Sequence, residues 1–240
     1  MIFQNVIWWA RVGEFKGKFI DLVFPPRCVG CGKDGAFICS PCCGTIARLT
    51  PPLCPMCSKP LLQEDYCPSC RRLRLEIDGI RSPFVFQGMV RRAIHQFKYR
   101  NFRALALPLS QLLAQYLGTK PLPGDVLVPV PLHSRRLRER GYNQSGLLSR
   151  ELGKLLGLPV VEDSLVRLRD TRAQARTPDA EERRGNVLGA FGCQNESLKG
   201  RRVLLVDDVC TTGATLNSCA IALKGSGASS VWGLALAREV

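Results

Sequence analysis

The chain has 240 residues, 45% of them apolar and 22% charged, enough for one or two globular domains with a buried core. Its net charge is +14, and residues 81–200 carry most of it, so an anionic partner is drawn to the middle of the chain. No run approaches the ~18 apolar residues of a membrane span, which excludes a transmembrane helix.

Residues 1–24 place Ile7, Trp8, Val12, Phe15, Phe19, Leu22 and Val23 at helical spacing. They predict an amphipathic helix packed on the body, with contact at a membrane surface as the alternative. The stretch has no basic leader region and no small-residue cleavage site, so the expected location is the cytoplasm.

Next come four CxxC pairs: Cys28/Cys31, Cys39/Cys42, Cys54/Cys57 and Cys67/Cys70. Two thiolates separated by two residues share one tight knuckle and reach a tetrahedral zinc at about 2.3 Å; two knuckles close the shell. Disulfides are the competing use, but nothing signals export, and repeated CxxC favours metal. The short gaps suggest Cys28, Cys31, Cys39 and Cys42 on one ion, and Cys54, Cys57, Cys67 and Cys70 on the other. A crossed pairing fits the same spacing, and Cys43 is a spare that can replace Cys42. Closed four-thiolate sites are structural, so residues 25–75 are expected to be a module folded by two Zn2+ ions.

Beyond it the texture becomes α/β. "IRSPFVFQG" reads as a strand with a turn, and "MVRRAIHQFKYRNF" as a helix. "LALPLSQLLAQYLG" is a second helix with Gly118 as its stop. "DVLVPVPL" is a buried strand, "NQSGLLSRELGKLLG" a helix capped by Asn143 or Ser145, and "RRVLLVDDV" a strand. "ATLNSCAIALKGSG" is a helix and "SSVWGLALAR" a strand. The alternation implies a parallel sheet covered on both faces, an α/β domain over 80–240.

In such sheets, ligands bind where strands hand over to helices. "VLLVDDVCTTGAT" sits there: Asp207 and Asp208 close a buried strand, and Thr211, Thr212, Gly213, Ala214 and Thr215 lead into the next helix. Hydroxyls, a glycine and helix N–H groups make a phosphate cradle. The adjacent carboxylates suit sugar hydroxyls or magnesium. No Walker loop occurs.

The stretch resembles the phosphoribosyl-pyrophosphate signature of type I phosphoribosyltransferases. Together with the cysteine pairs, "FKYR" and "VPVPLHSRRLRERGYNQS", it resembles the competence protein F family, which includes ComFC-type proteins of natural transformation and GntX proteins. The resemblance runs from about Leu22 to Arg238. It implies a type I phosphoribosyltransferase-like parallel sheet flanked by helices, behind a small cysteine-rich zinc-ribbon module. Asp207 and Asp208 would hold ribose hydroxyls, and Thr211–Thr215 the 5′-phosphate. A kink at Pro129, Val130 and Pro131 would expose N–H groups to pyrophosphate, with Arg135, Arg136, Arg138 and Arg140 nearby as donors. Residues 169–187 resemble a flap, with Arg172, Gln174, Arg184 and Asn186 at matching positions; a plain surface segment is the alternative. Lys98 is a candidate anion contact. The implied ligands are phosphoribosyl pyrophosphate with Mg2+, single-stranded DNA and proteins of a DNA-uptake machine. Phe97, Tyr99, Phe102 and Tyr142 are candidate stacking residues. An active phosphoribosyltransferase with an unassigned acceptor is the alternative function. Thr211 stands where purine 6-oxo enzymes of this group carry an acidic base, which argues against purine salvage.

Overall fold

The computed structural model describes residues 25–62, 65–72, 75–169 and 189–240. The helix expected over 1–24 and the flap positions Arg172, Gln174, Arg184 and Asn186 lie outside the described residues. The chain forms two compact units, Met1–Thr45 and Ile46–Val240. The division therefore falls between the two cysteine tetrads, whereas the sequence reading closes the cysteine module at residue 75. Packing gives the reason: Cys54, Cys57 and Cys67 are buried in one apolar cluster with Ile77, Ile80, Cys210 and Leu216.

In the first unit the described structure is a thiol knuckle followed by a one-turn helix, α1 (Ser40–Gly44). The second unit opens with another knuckle and another single turn, α2 (Pro68–Arg72). Two short strands follow, β1 (Gly79–Arg81) and β2 (Phe84–Val85), and then α3 (Gly88–Tyr99). α3 buries Met89, Val90, Ala93, Ile94 and Phe97, the stripe its spacing predicts. After a 3-10 turn at Arg103–Leu105 comes α4 (Ala106–Thr119), which runs through Gly118 and is capped at Lys120. Gly118 is thus an interior residue of its last turn.

The site is framed by β3 (Val126–Pro129), α5 (Ser134–Arg140), α6 (Gln144–Leu156), β6 (Arg202–Cys210), α7 (Ala214–Gly225) and β7 (Ser230–Arg238). Between α6 and β6, β4 (Leu165–Arg167) and β5 (Phe191–Cys193) pair antiparallel. β1, β7, β6 and β3 lie side by side in that order, all parallel, and β2 also pairs with β7. Val203–Val206 are at most 1% exposed, as expected of a central strand covered on both faces. Asn143 caps α6, its side chain accepting from Ser145 N at 3.1 Å. Gly153 is required by close packing: a Cβ there would sit 2.6 Å from Val160 and 2.8 Å from the Leu158 carbonyl.

Candidate functional site

Asp207 and Asp208 stand side by side near the C-terminal end of β6, and each is met by a different helix. Asp207 Oδ1 accepts from Ser145 Oγ at 3.0 Å and from the Asp208 N–H at 2.9 Å. Asp208 Oδ1 lies 2.7 Å from Lys98 Nζ, which the last turn of α3 delivers. Burial, then the Asp208 charge, lifts the Asp207 carboxyl to about 7, with Lys98 pulling the other way. Burial alone would lower the Lys98 ammonium, but Asp208 outweighs it and the pKa rises. The result is a floor of two acids and one fixed cation, with Asp208 paired to Lys98 and Asp207 pushed toward its neutral form.

Above this floor is a cavity of about 240 Å³ bounded by Val130–Leu132, Arg136, Arg140, Gln144, Arg167 and Thr215. Arg136 and Arg140 are one helical turn apart on α5 and face it together. Arg140 also donates to Gln144 Oε1 at 2.9 Å and lies 5.2 Å from the centre of the Tyr99 ring. Beyond the acids, Gly213 takes φ +82 at the start of α7, and a Cβ there would come within 2.8 Å of Ile80 Cδ1. Thr212 Oγ1 accepts from the Ala214 N–H at 3.3 Å, so the loop folds back on the helix start.

Two clusters of four thiols stand elsewhere: Cys28, Cys31, Cys39 and Cys42, and Cys54, Cys57, Cys67 and Cys70. Each is sequential, so the crossed pairing is not adopted, and Cys43 is outside both. Within each set the sulfurs lie within 4.8 Å of one another, and Cys31–Cys39 and Cys57–Cys67 are both 3.6 Å apart. The edge of a tetrahedron with 2.3 Å zinc–sulfur bonds is about 3.8 Å, so the geometry fits zinc. The bare thiols also compete for ionisation. Burial works against ionisation of Cys28, yet N–H groups of Cys39, Cys31 and Gly30 draw it down to about 6; the Cys39 hydrogen bond pushes Cys42 up to about 12. Cys57 is held at about 5, first by its hydrogen bond from Cys70, while Cys70 rises. A dication resolves that conflict.

Two domain families match the chain: a double zinc ribbon domain over residues 19–71 and a phosphoribosyl transferase domain over 137–237. Competence protein F of Haemophilus influenzae is 33% identical over 88% of this chain and 97% of its own length. The chain belongs to the competence protein F family. Competence protein ComFC of Bacillus subtilis is 30% identical, over 82% of each chain. DNA utilization protein YhgH of Escherichia coli K12 is 32% identical, over 81% of this chain and 87% of that one.

In this competence protein F relative, several residues singled out from sequence converge on one cavity: Asp207, Asp208, Thr215, Val130, Pro131, Arg136, Arg140 and Lys98. Lys98, expected to touch an anion, sits instead on Asp208. Arg135 turns to Glu139 at 3.1 Å and Arg138 is exposed, so neither lines the cavity. The kinked tripeptide has no N–H to spare: two of its residues are prolines, and Val130 N–H donates to the Val206 carbonyl at 2.9 Å. Thr211, Thr212 and Gly213 form the turn before α7, and Ala214 is the first residue of that helix. Of the stacking candidates, Phe97 and Tyr142 are buried core, whereas Tyr99 is 66% exposed on the cavity rim. Sequence reasoning missed Gln144 and Arg167, and saw Ser145 only as a cap. The polar i, i+4 link from Arg140 to Gln144 was the available signal for Gln144.

Proposed function

We propose that this protein binds phosphoribosyl pyrophosphate in the β6–α7 cavity and single-stranded DNA on the adjoining basic rim, serving DNA uptake or utilisation in the cytoplasm. One observation carries the reading: the acid pair, the Thr215 end of the phosphate turn and two α5 arginines all open into the same cavity. The ribose lies over Asp207 and Asp208, its 5′-phosphate meets the α7 N-terminus, and the pyrophosphate faces Arg136 and Arg140. Magnesium enters with the pyrophosphate rather than on the acids, because the Lys98 ammonium already neutralises Asp208. Tyr99, beside Arg136 and Arg140, is the stacking face for a base, with the arginines on its phosphates. The relatives' names, competence and DNA utilisation, support this direction.

Titration calorimetry with phosphoribosyl pyrophosphate, and anisotropy of a labelled oligothymidylate, test the two halves. Asp207→Ala with Asp208→Ala should abolish the first and spare the second. Tyr99→Ala should weaken DNA by about 5-fold or more. Neutralising Arg136 and Arg140 should flatten the salt dependence by about one unit of slope each. Unchanged DNA binding in both variants would remove the rim from the reading.

One observation favours turnover as a second reading. A cavity of about 540 Å³ shares Pro131, Leu132 and Arg167 with the first, room for an acceptor beside the leaving pyrophosphate. Release of pyrophosphate with one base or nucleic acid from a panel, and not without it, would establish that reading.

A further inference from the structure

Arg238 ends β7, a strand otherwise made almost entirely of apolar residues, and is 2% exposed. Its Nη1 donates to Cys210 Sγ at 2.9 Å, its register partner on β6, and its Nε is buried without a hydrogen-bond partner. Among the described residues no carboxylate pairs with it. A guanidinium does not shed its proton, so the fold has to bring negative charge to it. The apolar cluster that holds Cys210 also holds Cys54, Cys57 and Cys67, and four thiolates around Zn2+ carry a net charge of −2.

The same knuckle reaches the phosphate turn through β1. Ile80 N–H donates to the Met56 carbonyl at 2.7 Å, and Ser58 Oγ donates to the Ile80 carbonyl at 2.9 Å. Both backbone groups of Ile80 are thus tied to the Cys54–Cys57 knuckle. Its side chain fills the space that Gly213, for want of a Cβ, leaves open at the start of α7. Knuckle, Ile80 and Gly213 touch in series, and Cys210 Sγ, which holds Arg238, lies 3.9 Å from where a Cβ of Gly213 would stand.

We propose that the Cys54 tetrad is a working part of the phosphate turn. Arg238 is the counter-ion of its zinc–thiolate cluster and a positioning residue for the loop from Cys210 to Thr215. Zinc occupancy of this tetrad therefore sets whether the turn can hold an anion. The ligand half of this inference rests on the phosphoribosyl reading of the cavity; the zinc half does not.

Chelator-driven zinc release from the full chain tests it. Arg238→Met should release one of two zinc ions at least about 10-fold faster than wild type, and Arg238→Lys should stay close to wild type. Equal release from Arg238→Met and wild type, or equal acceleration by Arg238→Lys, would overturn the counter-ion role. If Arg238→Met does not fold, hydrogen exchange of the wild-type protein during chelation decides. Exchange at residues 207–216 should rise in step with residues 54–62 and not with 28–45. A loop that keeps its protection after residues 54–62 have lost theirs defeats the coupling. Zinc-stripped protein should also lose phosphoribosyl-pyrophosphate affinity. If the zinc-loaded chain binds none, the ligand assignment falls, while release and exchange still judge the coupling.

Discussion

The two thiol knuckles are built alike and placed differently. In each, the first cysteine's N–H donates to the carbonyl five residues on, Cys28 to Lys33 at 2.9 Å and Cys54 to Lys59 at 2.8 Å. In each, its carbonyl accepts from the fourth residue on, Gly32 or Ser58, at 2.8 Å. That fourth residue has positive φ, +75 at Gly32 and +58 at Ser58. In each, an antiparallel bridge closes the turn, Arg27 with Asp34 and Leu53 with Pro60. Yet in the first tetrad Cys28 alone is buried and Cys31 is exposed, whereas Cys54, Cys57 and Cys67 are all at most 3% exposed. One motif therefore yields a solvent-facing clip in the first unit and a piece of the core in the second. What losing a ligand costs depends on what its knuckle packs against.

The sharpest way to break that contrast is to remove one ligand from each tetrad. Cys57→Ser leaves a buried polar group among thiols that hold part of the sheet's core, and it should cost the second unit several kcal/mol or its fold. Cys31→Ser should release one zinc and leave the main thermal transition of the second unit within about 2 °C. Scanning calorimetry with zinc analysis separates the outcomes. Equal losses of stability in the two variants would show that the tetrads are energetically equivalent.

The acid pair gives the next largest effect. Asp207 titrates near 4 in an unfolded chain and is lifted to about 7 in the fold. Between those values the native state binds more protons than the unfolded one, so this group's contribution to stability falls as pH rises. Asp207→Asn keeps an acceptor for Ser145 and removes the charge. It should raise stability at pH 7 and flatten the decline in urea midpoints between pH 5.5 and 8, measured with zinc in the buffer. A decline as steep as wild type would place the titrating group elsewhere.

Ser58 sharpens the contrast between knuckles directly. A non-glycine residue at φ +58 carries a strain of about 1 kcal/mol that Gly32 does not, and Ser58 retains a buried bond to the Ile80 carbonyl against it. Ser58→Ala keeps the strain and removes one of that carbonyl's two side-chain donors, Arg81 Nη1 remaining on it at 3.0 Å, for a loss of about 1 kcal/mol. Ser58→Gly relieves the strain while losing the same bond, so it should be the milder change in a chemical melt. A reversed order would mean the bond contributes little.

Much of this was legible in the sequence, for identifiable reasons. The β6 strand reads from four adjacent apolar residues, and the cysteine pairs name their metal by spacing. The stretch from Thr211 to Thr215 reads as a strand-to-helix handover from its hydroxyls and glycine, and α7 does start there, with Gly213 as its cap. Illegible were the long-range partners. Nothing near Lys98 in sequence says that it will meet Asp208, 110 positions on, and nothing near Arg238 says that it will meet Cys210. The 26-residue offset that relates Cys28 and Cys31 to Cys54 and Cys57 was readable, but burial was not. Similar knuckles carry no mark of which one the sheet will cover, except the swap of Arg27 and Asp34 for Leu53 and Pro60.

That swap sets the smallest effect. Arg27 Nε lies 3.0 Å from Asp34 Oδ1, but the two side chains are 75% and 55% exposed. Water and salt screen such a pair, and fixing two long side chains costs entropy, so Arg27→Ala should change stability by less than about 1 kcal/mol and leave two zinc ions bound. Leu53→Asp, at the equivalent position of the second knuckle, puts a charge beside the buried tetrad and should be clearly worse. Measuring both in 50 mM and 500 mM salt adds a control, because any contribution from the first pair should vanish at the higher concentration. An Arg27→Ala loss as large as that of Leu53→Asp would mean the first ribbon is covered by a partner under the conditions of the measurement.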